Sequence, residues 1–206
     1  LAFQPIMQSR DQSKVAFYEG LIRVLDETGR VIPAGVFMNT IESTDLGRQL
    51  DTLALQKGLR ALHENPDLRL SINMSARSIG YKAWNQVLNR WLKQDELIGE
   101  RLILEITESS IMERAETSAE TLEQLRSLGI RLSMDDFGTG YSSMSYLKRF
   151  AIDELKIDRS FIQDIPQDEN DVAIARAVLA LGRSLQIDVV AEGVETSEQL
   201  GFLRSE

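Results

Sequence analysis

Acidic residues, one asparagine and one lysine recur along this chain where they could together bind a divalent metal. The set is Glu19, Asn73, Glu105, Asp135, Asp136, Lys156, Asp158 and Glu192. Carboxylates gathered in one place repel one another and have raised pKa values unless a cation lies among them. Ligands that are all oxygen, without histidine or cysteine, are typical of Mg²⁺, Mn²⁺ or Ca²⁺ and not of zinc or copper. The set therefore predicts a site for hard divalent ions.

Two features of the set point to chemistry at phosphorus. The adjacent aspartates Asp135 and Asp136 could bridge two metal ions, and two-metal sites favour in-line displacement at a phosphoryl group. Lys156 could orient a water nucleophile or offset charge on the phosphate. Taken singly, each carboxylate has a plainer interpretation as a helix cap or a solvated residue. The site hypothesis thus depends on whether the fold brings these residues together.

The elements that would position them alternate between strand-like and helical sequence. We predict strands at 2–6, 15–23, 68–74, 101–107, 130–135, 154–157 and 187–191, and helices at about 45–64, 80–95, 113–128, 142–149, 169–185 and from about 196 onward. Such alternation is typical of an α/β fold with a mostly parallel sheet, and seven strands favour a TIM-like (β/α)8 barrel over a doubly wound sheet. Residues 7–14 are too few for a helical crossover, so the first strand pair is predicted to be antiparallel.

The phase of the strands carries the most information about function. In the fourth predicted strand, Leu102, Leu104 and Ile106 share one face and Glu105 lies on the other. The same pattern, with a polar residue near the C-terminal end opposite an aliphatic stripe, recurs in strand after strand. If the stripe packs on outer helices, the polar residues converge at the C-terminal mouth of a barrel, where barrel enzymes hold their active sites. Phase alone predicts a metal-dependent barrel enzyme.

Composition excludes several other classes of site. The chain has no cysteine and one histidine, His63, so it has no disulfides, no thiolate nucleophile and no site that needs two histidines. A net charge of −9 argues against broad nucleic-acid binding, which requires neutralising many phosphates. No apolar run is long enough for a membrane helix. We expect a cytoplasmic domain, within a full-length protein that could be membrane-anchored, since the chain starts at Leu1 and reads as part of something longer.

Several segments resemble the motifs of one family, the EAL phosphodiesterases that hydrolyse the bacterial second messenger cyclic di-GMP. Residues 18–23 resemble the Glu-Ala-Leu-Leu-Arg signature, with Gly20 in place of alanine. The further matches, in the family's order, are 3–6 to its opening strand, 73–77 to Asn-x-Ser, 105–109 to Glu-x-Thr-Glu, 135–143 to its metal-and-loop motif, 155–158 to its lysine strand and 191–196 to its last glutamate motif. One such motif is a weak signal, but seven in order are specific.

The resemblance implies a role for each matching position in metal binding. Glu19, Asn73, Glu105 and Asp135 would hold one ion, and Asp135, Asp136 and Glu192 would serve a second. Mg²⁺ or Mn²⁺ would be the activating ions, and Ca²⁺ would inhibit.

The resemblance also implies roles in catalysis and substrate binding. Lys156 and Glu192 would act on the nucleophilic water, and Arg23, Gln4 and Asp158 would contact cyclic di-GMP.

A loop and its anchor complete the implied site. Glu108 would anchor the segment that contains Gly138, Thr139 and Gly140, which in the family couples dimerisation to metal binding, and Glu195 would support the site from behind.

As a whole, the resemblance implies one EAL phosphodiesterase domain over residues 1–206 that converts cyclic di-GMP to linear pGpG. The expected context is a homodimer and an upstream sensory or GGDEF-type domain. The family's last strand has no counterpart after residue 202, so we expect the eighth strand to be missing. Two alternatives remain open: a catalytically inactive cyclic di-GMP receptor, and another metal-dependent barrel enzyme.

Overall fold

The central element is one seven-stranded mixed sheet that curls into a TIM-like half-barrel. The computed structural model describes residues 1–113, 115–139, 147 and 149–206, without the side chains of residues 39, 112, 113 and 115–117. The sheet strands are β1 (Ala2–Met7), β2 (Val15–Leu21), β5 (Leu70–Asn73), β6 (Leu102–Thr107), β7 (Arg131–Phe137), β8 (Glu154–Ile157) and β9 (Asp188–Ala191), hydrogen-bonded in that order. All seven were predicted, and the α/β barrel class is confirmed.

Helices cover the outside of the sheet. They are α1 (Ala34–Ile41), α2 (Asp45–Glu64), α3 (Lys82–Gln94), α4 (Ile98–Arg101), α5 (Glu108–Glu113), α6 (Ala115–Ser127), α7 (Glu169–Leu185) and α8 (Ser197–Ser205), with a 3₁₀ turn at Arg159–Phe161. A small hairpin of β3 (Val24–Leu25) and β4 (Val31–Ile32) precedes α1. This hairpin and the helices α1, α4 and α5 were not predicted from the sequence. The helix predicted at 142–149 lies mostly outside the described residues.

The first strand pair is antiparallel and the remaining pairs are parallel, as predicted. Gln4 lies opposite Glu19 in the β1–β2 pair, and Asn73 lies beside Glu105 in the β5–β6 pair. Because β5 to β9 run in one direction, their C-terminal ends open at one mouth. The polar residues near those ends therefore belong to one surface.

The aliphatic face of each strand is buried under the helices. Leu102, Leu104 and Ile106 on β6, like Leu155 and Ile157 on β8, are almost fully inaccessible. The opposite face of the same strands carries Glu105 and Lys156 into the concave side of the sheet, and both are buried. Burial of both faces supports the predicted phase, with the apolar stripe outside and the polar set inside.

A single distance shows how strongly the sheet curls. Three strands lie between β2 and β8, so their residues would be about 19 Å apart in a flat sheet. In the structure Lys156 Nζ lies 3.6 Å from Glu19 Oε2. The sheet must curl strongly to bring these two side chains together.

Asp153, just before β8, ties three strands together at the end of the sheet away from the mouth. Its N–H donates to Leu132 O at 2.9 Å, and its Oδ2 accepts from Leu132 N at 2.9 Å. Its own carbonyl accepts from Asp188 N at 3.1 Å, and Arg131 pairs with Asp188 at 2.5 Å. These bonds fix the register of β8 against β7 and β9, and therefore the height of Lys156 in the barrel.

Helix α2 packs unusually close to β5, because a glycine faces the strand. A Cβ placed on Gly58 would lie 2.7 Å from Ile72 Cδ1 and 3.2 Å from Leu70 Cδ2. Leu55, Leu59 and Leu62 lie on the same buried side of the helix. The glycine therefore sets the distance between the helix and the strand that ends in Asn73.

Within the described residues, no helix combines the length and apolarity needed to cross a bilayer.

We expect Gly58→Ala to destabilise the protein, although alanine favours helix. The added methyl group overpacks against Ile72, at a cost of about 1–3 kcal/mol. Gly201→Ala, in the middle of α8, is the matched control: its Cβ would meet nothing within 4 Å, so the free energy of unfolding should rise by about 0.5–1 kcal/mol. Urea denaturation measures the free energy of unfolding of both variants and of the wild type. Equal shifts in the same direction would contradict close packing at Gly58.

Candidate active site

A buried lysine lies at the centre of the candidate site. Lys156 is 1% exposed, and its ammonium group contacts four carboxylates. The Nζ–O distances are 2.7 Å to Glu192, 2.8 Å to Glu105, 3.4 Å to Asp135 and 3.6 Å to Glu19. The predicted convergence of acidic residues at the mouth therefore exists in the structure, and one cation already lies inside it.

Each member of this cluster comes from a different strand or strand end. Glu19 lies on β2, Glu105 on β6, Asp135 on β7 and Lys156 on β8, and Glu192 follows β9 directly. The backbone N–H of Glu192 donates to Ile157 O at 3.1 Å, which continues the ladder by one residue. The backbone of the sheet thus holds the cluster, and its geometry is more rigid than that of a cluster held by loops.

Asn73 and Asp136 border the cluster. Asn73 Nδ2 donates to Glu19 Oε1 at 3.1 Å, so the amide oxygen is the atom left for a ligand. Asp136 has a left-handed backbone with φ of 54°, and its N–H donates to Asp135 Oδ1 at 3.0 Å. Successive residues on a regular strand point to opposite faces, so the left-handed residue ends the regular alternation at this pair.

The electrostatics of the cluster reflect burial of many charges. Burial raises the pKa of Glu105 to about 8, and the charge of Glu19 adds to this while Lys156 opposes it. Burial likewise raises the pKa values of Glu192 and Asp136. Burial lowers the pKa of Lys156, but the surrounding carboxylates, Glu105 first, raise it by more. The lysine therefore remains protonated, and among the carboxylates Glu105 is the one whose pKa burial raises furthest.

The donor set fits a hard divalent cation in its chemistry. Every candidate ligand atom is a carboxylate or amide oxygen, and in the described part of the chain Glu105 Oε1 is buried without a hydrogen bond of ordinary geometry, as expected of an oxygen that a bound ion would use. Among the described residues, however, no three histidine or acidic side chains form a ready metal-binding group. Here the ammonium of Lys156 provides the positive charge at the centre. Metal binding would thus redistribute its ion pairs.

The loop after β7 is tied back to the site. Glu108 is buried, and its Oε2 accepts from Gly138 N at 3.2 Å. Thr139 Oγ1 donates to Asp136 O at 2.9 Å. Gly138 has a φ of 101°, and a Cβ there would lie 3.2 Å from the Phe161 ring, so a larger residue would strain the backbone. Gly140 lies outside the described residues.

The remaining predicted residues surround the cluster without entering it. Glu195 pairs with Arg159 at 3.0 Å on the surface. Asp158 accepts from Ser160 N at 3.0 Å and caps the 3₁₀ turn. Gln4 is exposed beside Glu19 across the strand pair.

The side chain of Arg23 lies apart from the cluster. It lies just beyond β2, and its guanidinium donates to the adjacent Ile22 O at 2.9 Å. Within the described residues, the Arg23 side chain makes no contact with the cluster and is exposed near the mouth.

Two acidic residues near the site were not predicted from the sequence, one buried and one partly buried. Glu154 lies two residues before Lys156 on the same face, is buried, and has a pKa raised by burial; its strand phase was a readable signal. Its Oε1 and the hydroxyl of neighbouring Ser133 both lack a hydrogen bond of ordinary geometry. Asp51 on α2 contacts the turn that follows Asn73. An acidic residue on the apolar side of a helix was its only sequence signal.

Comparison with known proteins gives a consistent family. The model of the EAL domain family matches residues 1–206. The chain is 40% identical over 209 residues to a Pseudomonas aeruginosa protein described as cyclic di-GMP phosphodiesterase NbdA, covering 99% of the chain and 27% of that protein. It is also 40% identical, over 90% of its length, to the bifunctional diguanylate cyclase/cyclic di-GMP phosphodiesterase MucR of the same organism. The chain thus spans about a quarter of the length of these relatives.

Solved structures agree with the fold. A MucR phosphodiesterase in complex with c-di-GMP is 37% identical with a TM-score of 0.88, over 98% of this chain and 84% of that one. Klebsiella pneumoniae BlrP1, solved as manganese/c-di-GMP and calcium/c-di-GMP complexes, is 29% and 30% identical with a TM-score of 0.84 in both cases. Each comparison covers 99% of this chain and 51% of BlrP1.

The raised pKa of Glu105 makes a prediction for the metal-free protein. Between its ordinary value of 4.5 and about 8, the folded state keeps a proton that the unfolded chain releases. The free energy of unfolding therefore falls as pH rises through this window. Relative to Glu105→Gln, which cannot titrate, the wild type should lose at least about 1 kcal/mol between pH 5 and pH 8. Urea denaturation with a chelator measures both proteins. Parallel pH curves would show that the pKa of Glu105 is not raised.

Proposed function

The chain belongs to the EAL domain family, and we propose on that premise that it hydrolyses one phosphodiester bond of cyclic di-GMP to give linear pGpG. The observation that carries the proposal is the buried ammonium of Lys156 among four carboxylates at the mouth of the half-barrel. A cluster of this charge needs cations, and hydrolysis of a phosphodiester is a reaction that such a site can catalyse. Relatives described as cyclic di-GMP phosphodiesterases support the same substrate.

We propose that divalent ions, Mg²⁺ or Mn²⁺, complete the site. Glu19, Asn73, Glu105 and Asp135 would hold one, and Asp135, Asp136 and Glu192 a second. Bound ions would lower the pKa of a water molecule and offset the negative charge of the phosphate. The manganese and calcium complexes of BlrP1 support divalent ions as a class.

We propose that Lys156 and Glu192 act on the attacking water. Hydrolysis forms one bond from water oxygen to phosphorus, breaks one phosphodiester P–O bond, and delivers a proton to the leaving ribose oxygen. Lys156 remains protonated, so it donates hydrogen bonds and orients the water or the phosphate but does not remove a proton. Glu192 is partly exposed, and its raised pKa suits a carboxylate that accepts the water proton during attack.

The residues around the cluster would hold the substrate and the loop. Arg23 has the fork geometry that binds a phosphate through two hydrogen bonds, and Gln4 and Asp158 would contact the rest of the dinucleotide. The Glu108–Gly138 bond would keep the loop with Thr139 and Gly140 over the metal ligands. Glu195 would hold the segment after Glu192 in place through its pair with Arg159.

We further propose that residues 1–206 act as one phosphodiesterase domain within a longer protein. The coverage of its relatives, about a quarter of their length, supports this arrangement. A sensory or GGDEF-type domain upstream and a homodimer of EAL domains would then be the regulatory context. MucR, described as a bifunctional diguanylate cyclase and cyclic di-GMP phosphodiesterase, supports the pairing of the two activities in one protein.

Incubation with cyclic di-GMP tests the function directly. We expect pGpG by chromatography with Mg²⁺ or Mn²⁺, none after chelation, and little with Ca²⁺, which accepts looser coordination. Glu19→Ala should abolish turnover by removing a ligand, whereas Glu96→Ala, an exposed carboxylate on the opposite side of the fold, should not. Binding of cyclic di-GMP without turnover by the wild type would identify a receptor instead. Ca²⁺ as the best activator would refute the proposed metal site.

Lys156→Met should separate catalysis from binding. The substitution keeps most of the packing but removes the charge that faces the water, so kcat should fall by about a hundredfold or more, while the dissociation constant for cyclic di-GMP changes by less than about threefold. Steady-state kinetics and equilibrium titration with Ca²⁺ present provide the two numbers. Equal losses in both would recast Lys156 as a residue that anchors the substrate.

A further inference from the structure

One oxygen of Asp51 accepts three hydrogen bonds from the turn that follows β5. Asp51 Oδ2 lies 3.1 Å from Ser75 N, 2.7 Å from Ser75 Oγ and 2.7 Å from Ser78 Oγ. Ser78 is fully buried, and among the described residues the only other partner of its hydroxyl is Ser75 Oγ, at 3.5 Å. A backbone bond from Ser78 N to Ser75 O at 2.9 Å closes the turn itself, and the carboxylate of Asp51 holds that turn to α2.

The position of Asp51 follows from the way α2 packs on β5. Asp51 precedes Gly58 by seven residues, or about two helical turns, so both lie on the side of the helix that faces the strand. Gly58 lies against Ile72 in the middle of the strand, and the helix runs antiparallel to it. Two turns earlier, the helix has reached the C-terminal end of β5, where Asp51 meets Ser75.

The turn held by Asp51 begins directly after Asn73. Met74 N donates to Glu105 O at 2.8 Å, which is the last parallel bond on that side, and Ser75 N then donates to Asp51. The two bonds fix consecutive peptide groups immediately after Asn73. The direction of the Asn73 side chain, whose Nδ2 donates to Glu19 Oε1, is therefore set from behind by α2.

We propose that Asp51 is a positioning residue that fixes Asn73 as a metal ligand. The inference rests on the proposed function, because it assigns Asn73 to the first metal ion. Asp51 does not touch that ion or the substrate. It acts through the turn, because without Asp51 the Ser75 N–H loses its acceptor and the amide oxygen of Asn73 is less firmly held toward Glu19 and Glu105.

The affinity for Mn²⁺ alone, measured by isothermal titration calorimetry, tests the proposal. Asp51→Ala should weaken Mn²⁺ binding by about tenfold or more, as loss of groups that orient metal ligands commonly does. Asp51→Asn keeps one acceptor oxygen for the turn and should restore most of the affinity. Glu64→Ala, an exposed carboxylate on the same helix, is the matched control and should bind like the wild type. Unchanged affinity in Asp51→Ala would overturn the proposal.

A double-mutant cycle distinguishes positioning from general stability. If Asp51 acts through Asn73, then Asp51→Ala should cost little further affinity once Asn73→Ala has been made. A full repeat of the loss in that background would show that Asp51 acts by some other route and would overturn the proposal. If Asp51→Ala does not fold, Ser78→Ala takes its place in the same double-mutant cycle. This variant removes one of the three hydrogen bonds to Asp51, so a smaller loss of Mn²⁺ affinity is expected.

Amide hydrogen exchange in the metal-free protein provides a readout that is independent of the proposed function. The Ser75 N–H should exchange at least about tenfold faster in Asp51→Ala than in the wild type, because its acceptor is gone, and Asp51→Asn should restore protection. If the wild type failed to bind Mn²⁺, the proposed metal site would be wrong. The exchange rates would then still show whether Asp51 holds the turn. Equal protection of Ser75 in wild type and Asp51→Ala would show that Asp51 does not hold the turn.

Discussion

The ion pairs of Lys156 are the interaction on which the rest of this structure depends. An ammonium group that is 1% exposed is tolerated only when its lost hydration is replaced by nearby negative charge. The carboxylates that replace it come from β2, β6, β7 and the end of β9, which lie far apart along the sheet. Neutralisation of the lysine therefore requires the sheet to curl, since only the curl brings these strands to one ammonium group.

The remaining architecture keeps that arrangement in register. Asp153 joins β8 to its neighbours at the end of the sheet away from the mouth, and these bonds fix the position of Lys156 along the strand direction. Gly58 lets α2 approach β5, and Asp51 then fixes the end of that strand. The apolar stripes outside the sheet supply most of the burial and leave the concave side to polar groups. Stability and chemistry are thus assigned to opposite faces of the same strands.

The sequence predicted the sheet and the central cluster because both depend on local periodicity. The alternation of Leu102, Leu104 and Ile106 with Glu105 is visible without a structure, and it places the carboxylate on the inner face. The β3–β4 hairpin was missed because strands of two residues have no period to detect. The contact of Asp51 with Ser75 depends on the distance between a helix and a strand, which a glycine at position 58 sets in three dimensions. The same limit applies to Arg23, whose neighbours at the mouth are set by curvature and not by spacing along the chain.

The left-handed backbone of Asp136 has a consequence for anyone who engineers this domain. A residue with a Cβ at such a φ costs on the order of 1 kcal/mol, and glycine would relieve that cost while also removing a negative charge from a crowded cluster. Selection for heat resistance alone would therefore favour the loss of this aspartate. A screen that scores thermal tolerance without activity would enrich better-behaved proteins that have discarded one of the carboxylates assigned here to the second ion. At this position, thermostability and the chemistry of the mouth are opposing objectives.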